Sequence, residues 1–76
     1  MLDKLSIQNI YINLKKSSFL ISSRIDVLSE LDELGELSYS ESIEFDSLIE
    51  ESNILAHSLM MLEVVLGEDV PEVKSV

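Results

Sequence analysis

Leu31-Asp32-Glu33-Leu34-Gly35-Glu36-Leu37-Ser38-Tyr39-Ser40-Glu41 is the stretch that decides the fold. Gly35 closes a run of helical spacing and is the residue type that stops a helix in the left-handed conformation. Three residues on, Ser38-Tyr39-Ser40-Glu41 has the form of a capping box, with Ser38 accepting from a backbone N–H of the next helix and Glu41 reaching back. Glu41 and Glu44 also suit the positive end of a helix dipole. A stop and a start separated only by 35–38 turn the second helix back along the first, an antiparallel hairpin.

Outward from the turn, both arms carry an apolar stripe. Upstream it reads Ile7, Ile10, Leu14, Ile21, Ile25, Leu28, Leu31, Leu34, with Asp3 placed to cap the start. Downstream it reads Phe45, Leu48, Ile49, Ser52, Leu55, Ala56, Leu59, Leu62, Leu66, and Gly67 stops it. The expected fold class is all-α: helix about 3–34, turn 35–38, helix about 39–66, making a hairpin domain over 1–67 and a flexible C-terminal tail over 68–76. Symmetric pairing about the turn sets residue i against roughly residue 73 minus i. Leu14 then faces Leu59, Ile7 faces Leu66, Leu28 faces Phe45, and Arg24 falls near Glu50 and Glu51. The pairs Ser17-Ser18 and Ser22-Ser23 are weak helix formers, so the first helix is a candidate for a bend there.

Two helices bury one stripe each, and this chain has apolar residues left over. Leu5, Ile12 and Phe19 recur every seven positions off the first stripe, and Met60, Met61, Val64 and Val65 make the end of the second helix apolar nearly all round. These seven residues form the expected apolar face. A 76-residue chain with a thin core and no Cys needs a partner or a third layer. Three arrangements supply it: a homodimer forming a four-helix bundle, a different protein, or a fold-back of helix 1 at the Ser pairs. The homodimer is the arrangement expected.

Fifteen acids against five bases give a net charge of −10, and this excludes general nucleic-acid or anionic-membrane binding, which needs clustered Lys and Arg. Residues 1–25 are net +3, and 26–76 are net −13. No base has an acid three or four residues away, whereas acids repeat at that spacing in Asp26/Glu30, Asp32/Glu36, Asp46/Glu50 and Glu41/Glu44. On a helix each like pair costs roughly 0.2–0.5 kcal/mol. Tolerance of that repulsion points to a use for the negative charge. The expected ligand face is Asp26, Glu30, Glu33, Glu36, Glu41, Glu44, Glu50 and Glu51.

Catalytic signatures are lacking. His57 stands alone: Ile54 occupies the place of the acid in a Glu-x-x-His pair, and Asn53 and Met61 flank it at helical spacing. No nucleophile elbow, phosphate-binding glycine loop or calcium loop is present. No enzyme activity, metal or cofactor is therefore expected. Nor is a membrane span, since the apolar runs are short. The location expected is cytoplasmic. The function expected is that of an inhibitor or regulator, phage-like in style, whose acidic helical face mimics nucleic acid and docks on a basic partner protein. The alternative is a small helical chaperone or assembly adaptor working through the apolar face.

The segment Ser42-Ile43-Glu44-Phe45-Asp46-Ser47-Leu48-Ile49 resembles the Ser-Gln-Glu-Leu-Asp segment of the Spo0E-like aspartyl-phosphate phosphatases. Those are also small helical hairpins and act on response regulators. The resemblance covers about eight residues, has Ile43 where the family has Gln, and implies Asp46 as the acid of the catalytic region.

Overall fold

The computed structural model describes residues 3–74. Two helices, α1 (Lys4–Glu33) and α2 (Tyr39–Leu66), are followed by one 3-10 turn over Gly67–Asp69, and no strand occurs among the described residues. The two helices pack on each other as a hairpin. Residues 1–2 of the expected hairpin domain and 75–76 of the expected tail lie outside the described residues.

Each helix end follows from a local hydrogen bond. Asp3 is extended and its carboxylate accepts from the Ser6 N–H at 2.8 Å, opening α1. At the other end Leu34 is the last helical-like residue and Gly35 takes φ +71°. The Gly35 N–H donates to the Asp32 carbonyl and the Glu36 N–H to the Leu31 carbonyl, the paired bonds of a Schellman stop. Ser38 and Glu41 then form the capping box in both directions: Glu41 N–H to Ser38 Oγ at 3.2 Å, and Ser38 N–H to Glu41 Oε1 at 3.1 Å. Gly67, at φ +59°, ends α2.

α1 runs unbroken through both Ser pairs, so helix 1 does not fold back as a third helix. The Ser23 hydroxyl bonds the Phe19 carbonyl one turn earlier, which keeps its polar group inside the helix ladder. Thirty helical residues at 1.5 Å each span about 45 Å, matching the long axis of 47 Å. The radius of gyration is 15.2 Å, where a compact chain of this length has about 11 Å.

The core is thin and lies at the open end. Tyr11, Leu59 and Leu66 form a buried cluster, with Ile7, Leu14, Leu62, Val70 and Val73 packed against it. Leu14 and Ile7 therefore join Leu59 and Leu66 as the spacing predicts. Near the turn, Leu28 is fully buried. Four members of the expected stripes sit differently: Ile10, Leu34, Ile49 and Ala56 are exposed.

The stretch expected as a flexible tail packs back on the hairpin over its described part. Its 3-10 turn redirects the chain across the hairpin's open end, where Val70 and Val73 cover the core cluster. Lys4 Nζ meets the Asp69 carboxylate at 3.0 Å, and Gln8 Nε2 donates to the Asp69 carbonyl at 2.8 Å. A glycine, two acids and a proline suggest fraying; two valines at the right reach override them.

Candidate interaction surfaces

The seam between the helices repeats every seven residues, with Ile7, Leu14, Ile21 and Leu28 in α1 and Phe45, Ser52, Leu59 and Leu66 in α2, all buried or half-buried. Two flanks follow from it, each marked by a bond between the helices. On one, Arg24 grips Glu44 with two hydrogen bonds, Nε to Oε2 at 2.8 Å and Nη2 to Oε1 at 3.0 Å. On the other, the Tyr11 hydroxyl donates to Glu63 Oε2 at 2.8 Å. Arg24 does not meet Glu50 or Glu51. Glu44 lies five residues, about 7.5 Å of helix, from the position that symmetric pairing sets opposite Arg24, so a register counted on backbone positions misplaces its partner.

Electrostatics at these contacts is local. The Arg24 guanidinium holds the Glu44 carboxyl below its ordinary range, and the Arg24 pKa rises in return. The Ser38 N–H lowers the Glu41 carboxyl, and the Ser6 N–H lowers that of Asp3. Burial pushes the Tyr11 phenol up, and its bond to Glu63 adds to the shift.

The expected apolar face is divided by the helix geometry. Adjacent helical residues point about 100° apart, so Met60 and Met61 diverge, as do Val64 and Val65. Leu5, Ile12, Phe19 and Met60 belong to the Tyr11–Glu63 flank, Met61 and Val65 to the Arg24–Glu44 flank, and Val64 to the outer side of α2. Ile12 and Phe19 are half-buried, and Lys15 Nζ stands 5.8 Å over the Phe19 ring. The barer apolar strip is on the Arg24–Glu44 flank: Leu20 (74% exposed), Val27 and Leu34 from α1 with Ile54, Met61 and Val65 from α2. Leu20, Val27 and Leu34 also recur every seven residues, and that spacing was available to find them.

The eight expected acidic residues also do not share one face. Glu41 is held by its cap and Glu44 by Arg24. Asp26 and Glu33 fall on the Tyr11 flank, Glu51 on the Arg24 flank, and Glu30 and Glu50 point outward. Glu36 lies in the turn, so Asp32 and Glu36 are not a helical pair. What these residues share is an end of the rod. Residues 26–51 hold ten acids and no base, whereas the remainder holds five of each. The whole net charge of −10 therefore sits on the turn half. Asp26, Glu30, Asp32, Glu33, Glu36, Asp46, Glu50 and Glu51 are all exposed there.

His57 is exposed on the outer side of α2, and no group of three or more metal-ligating side chains occurs among the described residues. Asp46 is exposed on α2, and Glu44, two residues earlier, is engaged with Arg24. No helix among the described residues is long and apolar enough to cross a membrane. Comparison with known protein families, curated proteins and solved structures finds no match to this chain.

Proposed function

We propose that the chain is a non-enzymatic interaction protein of the cytoplasm, self-associating as a four-helix bundle and docking its acidic turn half on the basic surface of a partner protein, one built to hold nucleic acid. The observation that carries this reading is the segregation of charge: ten acids without a base over 26–51, eight of them exposed. Carboxylates spread around the end of a rigid rod present negative charge in several directions, as the phosphates of a duplex end do. Lys and Arg grooves accept that pattern, and long-range attraction steers the encounter.

The test is capture by the immobilised protein at low and high salt, with elution by heparin. The reading requires a partner that is lost at high salt, displaced by heparin, and no longer bound by the Glu30→Lys/Glu33→Lys/Glu50→Lys/Glu51→Lys variant. Binding that survives all three treatments removes the mimicry reading and favours an adaptor that works through its apolar strip.

A further inference from the structure

The bare strip beside Arg24 and Glu44 is not accounted for by an acidic docking end. We infer that this flank is where a second copy of the chain packs, the two hairpins lying antiparallel across a two-fold axis near Leu20 and Ile54. The inference rests on the reading of the chain as self-associating and assigns the face that does it.

Three observations choose this flank and this occupant. The first is area. The chain exposes 5698 Å², where a compact monomer of 8.6 kDa exposes about 4,700 Å². The excess, on the order of 1,000 Å², is close to the roughly 800 Å² each partner contributes to a standard interface.

The second is charge. Two chains of −10 must meet where each is least negative. On this flank Arg24 neutralises Glu44, small Ser17 and Ser58 lie between the apolar residues, and the acids of α2 left over are Glu51 and, at the turn end, Glu41, whose carboxylate is taken up by its cap. The Tyr11 flank instead carries Lys15, Asp26, Glu33, Asp46 and Glu63, and two copies of that surface would bring like charges together.

The third is symmetry. A two-fold contact needs a self-complementary surface. Leu20 and Ile54 lie near the midpoints of α1 and α2. Leu34 marks the turn end of the strip, and Met61 with Val65 marks the open end. Reversing one copy about the midpoint sets Leu20 against Leu20 and Ile54, and lays the turn end of each strip over the open end of the other. The acidic turn halves then sit at opposite ends of the assembly, which keeps the repulsion low.

Sedimentation equilibrium on the full chain tests both layers. The wild type is expected to sediment as a dimer. Leu20→Glu/Met61→Glu is expected to weaken that dimer by roughly 100-fold or more, while Leu5→Glu/Met60→Glu on the opposite flank leaves it intact. A wild type that stays monomeric throughout overturns self-association itself. A wild-type dimer that survives Leu20→Glu/Met61→Glu, or that Leu5→Glu/Met60→Glu dissolves, overturns the face alone.

If Leu20→Glu/Met61→Glu loses its helical circular dichroism, the decision passes to Leu20→Cys in this Cys-free chain. Oxidation to a disulfide-linked dimer supports the two-fold beside Leu20. Failure to cross-link, with the dimer still present, overturns it. Partner capture by Leu20→Glu/Met61→Glu keeps the docking reading separate from this one.

Discussion

The turn half and the open half of the rod are built by different means. The turn half holds all the net charge, one fully buried leucine, and helix ends set by bonds between residues three to five apart. The open half is electrically balanced. It is closed by Tyr11, Leu59, Leu66, Val70 and Val73, Tyr11 lying 48 or more residues from each of the others. The contrast shows a chain shaped locally at one end and held by packing at the other. Burial and charge are kept apart, so repulsion among carboxylates does not act on the core.

The largest effects should fall on the open half. Leu59→Ala is expected to cost about 3 kcal/mol in urea unfolding at fixed protein concentration, from lost transfer energy and the cavity left behind. Val73→Ala should cost about 1–2 kcal/mol. No effect from Val73→Ala would mean that the closing segment adds nothing, and the two halves would then differ less than the structure indicates.

Next come the local signals at the turn. Gly35→Ala forces a side chain into φ +71° and is expected to cost roughly 1–2 kcal/mol, although a Cβ there meets no atom within 4 Å. Ser38→Ala removes half the capping box and should cost about 1 kcal/mol. A Leu59→Ala cost below that of Gly35→Ala would break the comparison.

Acid and base separate the halves more finely. The depressed carboxyls of Glu41 and Glu44 in the turn half, and of Asp3 at the open end, add stability that is present at neutral pH. It is lost as pH falls below about 4. Tyr11 acts in the other direction: its raised pKa adds stability below about pH 10 that is lost as pH climbs past the folded value. Tyr11→Phe should flatten the alkaline limb of a melting-temperature profile and leave the acid limb unchanged. It should cost about 0.5–1.5 kcal/mol at neutral pH.

The smallest effect is ionic strength. Added salt should raise stability slightly by screening Asp26/Glu30 and Asp46/Glu50, at roughly 0.2–0.5 kcal/mol per pair. Glu30→Gln should remove part of that response, whereas Glu63→Gln should not.

How much could be read beforehand follows the same division. Asp3, Gly35, Ser38 and Glu41 announce the helix ends because each acts on a backbone group within its own turn of chain. The packing of Leu14 and Ile7 with Leu59 and Leu66 follows once the turn is placed. The partner of Arg24 was not legible, because side-chain reach along a groove is not encoded in spacing. Val70 and Val73 were hidden behind residues that ordinarily mark a frayed end. Tyr11 was passed over although it lies four residues after Ile7 and three before Leu14, where the seam demands burial. The acidic residues cluster in sequence over 26–51 but diverge in direction, since a face depends on how each helix is rotated and an end does not.

A rod of 47 Å with its whole charge at one extremity behaves as an electric dipole as well as a monopole. In the field of a cationic surface a single hairpin experiences a torque before contact, with its bend leading. Two hairpins laid antiparallel cancel that dipole and carry a negative pole at each end, so either end can lead.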